Sequence, residues 1–336
     1  MSEWTDRDGW EAFVDSAPDA TMMHRWVWRD VIAQAYGHRT FCLAAHSGGR
    51  LRGVLPLTLV AGRMLGRQLV SMPFLDYGGV CVAGDRDAER ELVRAATQMA
   101  HAERAVLVLR HAEERRLEIP VSLEKVSMLL DLGDSEEALW RRLPPERRNR
   151  VRKGQRHGLV ASVGGASSLS AFYDVLATNM RDLGSPVHHR RFFAAVMEHV
   201  GQDARIVLVQ DEGRPIGAAV MLLHRQTISL PWVSSLRSSF KKSPNQVLYW
   251  EAMRWGIGSG YRILDFGRSS KGTGTYEAKR QWGADVVQLY WHYHPESAGP
   301  PTEGIKRLAW ATRLWRRLPI PVANALGPRI RKAIPN

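Results

Sequence analysis

The chain has 336 residues, 44% of them apolar and 24% charged, which is enough to bury sizeable cores and corresponds to about two domains at roughly 150 residues each. Such a composition excludes a disordered, collagen-like or disulfide-stapled chain, and two cysteines, Cys42 and Cys81, suffice for neither a disulfide framework nor a cysteine zinc site. The net charge of +13 belongs to two segments: residues 141–157 and 299–336 each hold eight Lys/Arg and one Glu, and the remainder sums to −1. Each patch reads either as a solvated face or tail, or as a salt-sensitive surface for a polyanion or anionic lipid. The start, MSEWTDRDGW, has no apolar signal core, and no run of about 18 uncharged apolar residues occurs. The expectation is a soluble, cytoplasmic protein.

In chain order, Met22–Ala35 has helical apolar spacing, and Phe41–His46 and Leu51–Val60 read as strands around Ser47-Gly48-Gly49. A helix follows over Asp85–His101, then a buried strand over Ala105–Arg110 and another over Val126–Leu132. Pro144-Pro145 opens a basic helix, Glu146–His157. The second half repeats the plan: helices Leu169–Met180 and His189–His199; strands Ala204–Gln210, Ile216–Leu223 and Gln226–Ser234; helix Gln246–Gly258; strand Arg262–Gly267; helix Thr275–Trp282; strand Val286–His294. In the tail, Ile305, Leu308, Ala311, Leu314, Trp315 and Leu318 form the apolar stripe of a basic amphipathic helix ended by Pro319. It suits docking on the body, a membrane-surface contact or a polyanion contact.

Ile263–Gly283, ILDFGRSSKGTGTYEAKRQWG, places a loop rich in Ser, Gly and Thr between a strand and a helix. Its amides, reinforced by Arg268 and Lys271, suit an anion or a developing oxyanion, with Thr275, Tyr276 and Lys279 on the helix that follows; an ordinary surface loop is the alternative. Ser71–Gly79 offers Asp76 and Tyr77 to a substrate, or is a tight glycine turn, and Arg181–Pro186 is a second polar turn. No P-loop, dinucleotide fingerprint or serine-nucleophile elbow is present, and His188-His189 and His292/His294 lack the spacing of a metal set. No metal is expected.

The element order, together with Met72–Gly79, Arg148–Leu159, Arg181–Phe193, Ser243–Trp255 and Asp265–Gly283, resembles the FemAB-type branch of the GNAT acyltransferase superfamily. The tail around Leu318–Pro328 resembles members associated with bacterial exopolysaccharide systems. The resemblance implies an α/β fold of tandem GNAT-like units, each a mixed central sheet flanked by helices. The units would be 1–160, ending in the basic helix, and 161–298, carrying the transfer site, with 299–336 a basic tail.

It also implies an aminoacyltransferase that takes aminoacyl-tRNA as co-substrate, without a cofactor, and forms an amide on a small molecule or cell-envelope-precursor amine. The family's Phe-Lys pair falls on Ala278-Lys279, so the lysine is kept and the aromatic is not. Lys279 and Asp265 are then the catalytic candidates. Asp76, Tyr77, Arg181, Arg268, Lys271, Thr275 and Tyr276 are substrate-binding candidates, and Arg147, Arg148, Arg150, Arg152 and Lys153 would meet RNA phosphates. GNAT enzymes that use coenzyme A usually grip its pyrophosphate with a Gly-rich turn leading into the main helix; here that stretch is Arg237–Asn245, RSSFKKSPN, without glycine. An acyl-CoA or acyl-carrier N-acyltransferase acting on an amino sugar or polyamine is the competing expectation. A non-enzymatic scaffold peripheral to the inner membrane through its tail is a third.

Overall fold

In a computed structural model of the chain, the structure describes residues 2–62, 66–295 and 309–335. The chain forms two compact units, one of Met1–Lys125, Gln288–Leu308 and Arg329–Asn336, the other of Val126–Val287 and Ala309–Pro328. The expected break near residue 160 therefore does not coincide with the contact-defined one, which falls between Lys125 and Val126 and leaves the basic helix in the second unit.

The first unit holds a seven-stranded sheet built from β1 (Ser2–Glu3), β2 (Arg39–Ser47), β3 (Arg50–Gly62), β4 (Gly66–Val70), β5 (Val106–His111), β6 (Val121–Ser122) and β15 (Tyr290–His294). Across the sheet they run in the order β1-β2-β3-β4-β5-β15-β6. Strands β2 to β4 are an antiparallel meander, helix α3 (Arg86–Ala102) crosses over, and β5 returns parallel to β4. Asp85 starts α3 by accepting from the amides of Asp87 and Ala88, and Ala88, Leu92, Ala96 and Ala100 turn its apolar face onto Leu55, Leu57 and Leu107. The helix expected over Met22–Ala35 is broken at Arg25 into a short turn, Met22–His24, and helix α2 (Val27–Tyr36).

The second unit repeats the arrangement. Strands β8 (Val160–Gly164), β9 (Ala204–Asp211), β10 (Arg214–His224) and β11 (Thr227–Ser235) are antiparallel neighbours; helix α8 (Pro244–Gly258) crosses over; and β12 (Ile263–Asp265) lies parallel to β11. In each unit one more antiparallel strand follows the parallel one: β15 beside β5, and β7 (Lys125–Asp131) beside β12. The strand expected over Val286–His294 is in fact two, broken at Leu289, and its first piece, β14 (Asp285–Gln288), pairs with β7 in the other sheet. The second core gathers Met128, Leu130, Val207, Met221, Leu248, Met253, Phe266 and Trp282.

The tail is helical, but not as one helix. The stripe residues Ile305 and Leu308, with Lys306 and Arg307, lie outside the described residues. Helices then run over Ala309–Trp315 and Ile320–Arg331, so Pro319 separates two helices rather than ending the only one. The tail is docked. Arg181 donates to the carbonyl of Leu318, Arg316 to that of Leu183, and Gly327 lies within 3.0 Å of Val187, measured from where its β-carbon would stand. At the far end, the Pro335 carbonyl accepts from the amide of Phe74 and from the buried guanidinium of Arg110.

Candidate functional site

The two sheets differ where their parallel strands part. In the first unit, β4 pairs with β5 over Gln68–Val70, and the chain then stays against β5: Ser71 N–H donates to Val108, and Gly78 N–H to Arg110. Every residue from Ser71 to Val82 is buried. Arg110 holds this segment from below, donating to the carbonyls of Met72 and Leu75 while its guanidinium stacks 4.3 Å from the Trp291 ring. Asp76 and Tyr77, expected to face a substrate, are therefore part of the core. Tyr77 also borders a small cavity of about 90 Å³ lined by Asp19, His24, His111 and Arg115. The tight-turn alternative describes this loop: Gly78 sits at φ +141°, and a β-carbon on Gly79 would stand 2.3 Å from the His111 ring.

In the second unit the gap stays open. Strand β11 pairs with β12 only through Thr227–Ser229 and runs on to Ser235 with no strand beside it on that edge among the described residues. Hydroxyls and amides, most of them buried, gather there: Asn179 donates to Ser234, and Ser235 donates to Asn245. These four were not singled out from the sequence. Their only signal was a pair of serines closing an apolar strand.

The turn into α8 fills the place of the glycine-rich loop. It is a short 3-10 helix, Arg237–Lys242, followed by Ser243 at φ +64° and by Pro244 at the first helical position. The Ser243 amide is spent on the Phe240 carbonyl, Pro244 has none, and the Lys242 ammonium is paired with Asp211 at 2.6 Å. The donors left at this turn are the first-turn amides of Asn245 and Gln246 and the exposed Lys241, with no glycine to let a pyrophosphate approach the backbone closely.

Across the gap stands the Asp265–Gly283 segment. Asp265 is buried at the end of β12, where one carboxylate oxygen accepts from Ser127 Oγ at 2.5 Å and from Gly267 N–H at 2.8 Å. It anchors the left-handed turn at Gly267, φ +75°. Helix α9 (Gly274–Arg280) has only seven residues and is capped by Thr273, which accepts from Tyr276 N–H. Lys279 reaches back from α9, and its ammonium donates to the carbonyls of Gly267 and Arg268 at 2.8 and 2.9 Å. Lys271 and Thr275 are exposed, with Thr275 Oγ 3.0 Å from Thr273 Oγ, and Arg268 is half-buried. Tyr276 packs on the second core, where the Tyr249 ring meets Phe266 and Trp282 edge to face. Burial pushes the Tyr249 phenol well above its ordinary range. Arg181 is not in this group: it pairs with Asp182 and holds the tail.

The basic helix α5 (Pro145–Arg156) lies against the start of α8, with Gly154 so close that a β-carbon would meet Val247 at 2.3 Å and the Lys242 carbonyl at 3.2 Å. Arg150 and Arg152 are exposed, Arg148 and Lys153 half-exposed, and Arg152 stacks 5.3 Å from the Trp140 ring. Arg147 is a correction: it is buried and paired with Glu146, so it does not belong to a phosphate-facing surface. Its side chain falls on the α5 face that packs inward with Val151 and Gly154.

Residues 145–280 match the family described as Acetyltransferase (GNAT) domain. The matched stretch lies within the second unit. The chain as a whole has the tandem GNAT fold, as three solved structures illustrate. FemX is 13% identical with a TM-score of 0.65, over 87% of this chain and 97% of FemX. L-PGS from Bacillus licheniformis is 14% identical with a TM-score of 0.59, over 95% and 99%. A tandem GNAT protein from the clavulanic acid biosynthesis pathway is 12% identical with a TM-score of 0.51, over 87% and 95%. At these identities the likeness is one of fold, and the FemAB-type resemblance read from the sequence agrees with it. No curated protein sequence matches the chain. Among the described residues no cluster of side chains suits a metal ion, and no helix is long and apolar enough to cross a membrane.

Proposed function

We propose that the GNAT domain of the second unit is an aminoacyltransferase, taking its acyl group from aminoacyl-tRNA and forming an amide on a small-molecule or cell-envelope-precursor amine. The observation that carries this reading is a helix start that lacks a glycine turn, its Ser243 amide and Lys242 ammonium already engaged, with the exposed cations of α5 directly beside it. A coenzyme A pyrophosphate needs a compact nest of backbone N–H groups, whereas an acceptor stem needs cations spread along a backbone. The Fem-type resemblance, and the fold shared with FemX and L-PGS, support the same donor class.

The reaction is aminolysis of an ester. A neutral amine attacks the aminoacyl carbonyl, the C–N bond forms, and the tetrahedral oxyanion collapses with loss of the ribose oxygen, which leaves as the hydroxyl after taking the proton given up by the amine. The open edge of β11 provides the slot for the extended acyl group. Asp265 acts as a positioning residue, fixing the turn at Gly267, and Lys279 sets positive charge against the same turn, where charge develops. Buried as it is between Ser127 and Gly267, Asp265 does not have to move a proton, because the ribose oxygen can accept it from the amine.

The test is transfer from charged, labelled tRNA to amine acceptors, run in parallel with acetyl-CoA. Amide formation that depends on the tRNA supports the proposal. Turnover with acetyl-CoA alone, which the description of the matched family as an acetyltransferase domain makes the competing reading, overturns it.

A further inference from the structure

The C-terminal helix Ile320–Arg331 is packed inside out. Ala323 and Gly327, four residues apart, form its buried side, with Ala323 only 2% exposed and the Gly327 position pressed to within 3.0 Å of the Val187 backbone. Its large apolar residues point the other way: Val322, Leu326 and Ile330, spaced four apart on one helical stripe, are 40%, 41% and 43% exposed. An ordinary surface helix buries its large side chains and leaves small or polar ones in water. Here the small residues allow close docking, and the large ones keep about two-fifths of their surface in water along the outer face.

The charge that the tail itself carries beside this stripe has a single sign. Residues 309–336 contain Arg313, Arg316, Arg317, Arg329, Arg331 and Lys332, and no Asp or Glu. Arg313, Arg317, Arg329 and Lys332 are exposed, and Leu314, on the preceding helix, is also exposed, at 57%. A stripe of large aliphatic side chains with cations and no anions matches the boundary of an anionic bilayer, where acyl chains lie just beneath a layer of negative headgroups. A protein partner of mixed charge has no counterpart for so uniform a rim.

We infer that the outer face of the helix Ile320–Arg331 is a membrane-docking surface for anionic phospholipid, seating Val322, Leu326 and Ile330 at the acyl boundary and the surrounding arginines and Lys332 among the headgroups. Docking on the body and contact with a bilayer are thus not alternatives for this tail: its two faces do one each. The inference does not depend on the donor used by the GNAT domain.

The test is co-sedimentation of the full chain with vesicles of phosphatidylglycerol mixed with phosphatidylcholine, and with phosphatidylcholine alone. The expected result is binding to the anionic vesicles that weakens with salt and is at least about tenfold poorer on the neutral ones. The triple variant V322S/L326S/I330S should lose at least about tenfold in partitioning while its melting temperature stays close to that of the parent, because these side chains are already half in water. The charge variant R313Q/R317Q/R329Q, with the stripe intact, should lose binding to anionic vesicles as well. Absence of binding to the anionic vesicles, or equal binding by parent and triple variant, overturns the proposal. So does a concentration-dependent dimer of the parent that the triple variant abolishes in sedimentation velocity, which would assign the stripe to a second copy of the chain.

Discussion

The ammonium of Lys279 closes a loop over its own strand end, donating to the carbonyl of Gly267 at 2.8 Å, twelve residues earlier in the chain. One cation thereby fixes the shape of the Gly267–Lys271 turn and places positive charge beside it. Lys279→Met keeps the length of the side chain and removes both effects. Initial rates of amide transfer should fall at least about tenfold, the scale expected for a lost charged donor at a developing oxyanion. A rate within twofold of the parent would remove Lys279 from the mechanism.

Asp265 and Ser127 offer a test of position against chemistry. Asp265→Asn keeps an oxygen that can accept from Gly267 N–H and Ser127 Oγ, so stability should change little and turnover should survive. Asp265→Ala leaves two buried donors unsatisfied, and chemical denaturation should show a loss of about 2–4 kcal/mol. If the Asn variant is fully folded yet inactive, Asp265 transfers a proton rather than holding a turn.

The α5 cations should act through phosphates. With Arg147 excluded by its burial, the variant to make is R148Q/R150Q/R152Q/K153Q. It should weaken binding of acceptor-stem RNA, and the slope of log affinity against log salt should fall by roughly 1 for each phosphate that is no longer neutralised. An unchanged slope means that α5 does not touch RNA.

The first unit should be acid-labile. Val80 N–H donates to His111 Nε2 at 3.0 Å, and Thr21 N–H donates to His24 Nδ1 at 3.0 Å, so both imidazoles are held neutral; protonation would turn each acceptor into a second donor. Burial pushes His24 down to about 4 and His111 well below its ordinary value, with the neighbouring His292 also lowered. Since the unfolded chain binds these protons near pH 6.5 and the folded one does not, stability is full above that value and is lost as the pH falls from about 6.5 toward 4. For His24 alone the shift corresponds to about 3 kcal/mol. Thermal melts should drop over this window in the parent and drop less in His24→Gln. A flat profile would mean that these rings are charged in the folded state.

Much of the architecture is legible in the sequence because its signals are local. Asp85 as a helix start, the Ser47-Gly48-Gly49 turn and the apolar strand before Arg110 depend on near neighbours, and the repeated order of elements points to the tandem fold. The Ser71–Val82 segment misleads because Asp76, Tyr77 and two glycines look like an open polar loop, while the residue that buries it, Arg110, sits 35 positions beyond the Leu75 carbonyl it holds. The same guanidinium bonds to Pro335, 225 residues on, a pairing no local pattern encodes. Leu289 divides one apparent strand between two sheets for the same kind of reason: pairing with β5 and with β7 is decided far along the chain. In the candidate site, the Fem-type resemblance points to Lys279 and Asp265, but which atoms they hold depends on the turn at Gly267. The bonds of Asn179 and Asn245 are not legible in the sequence, since their serine partners come from another element.

The measurement that bears most directly on the central claim is donor binding by calorimetry at two salt concentrations, comparing a non-hydrolysable aminoacyl acceptor-stem RNA with acetyl-CoA. The account predicts RNA binding that weakens steeply with salt and no measurable heat with acetyl-CoA. Tight binding of acetyl-CoA, with RNA binding absent, would contradict it.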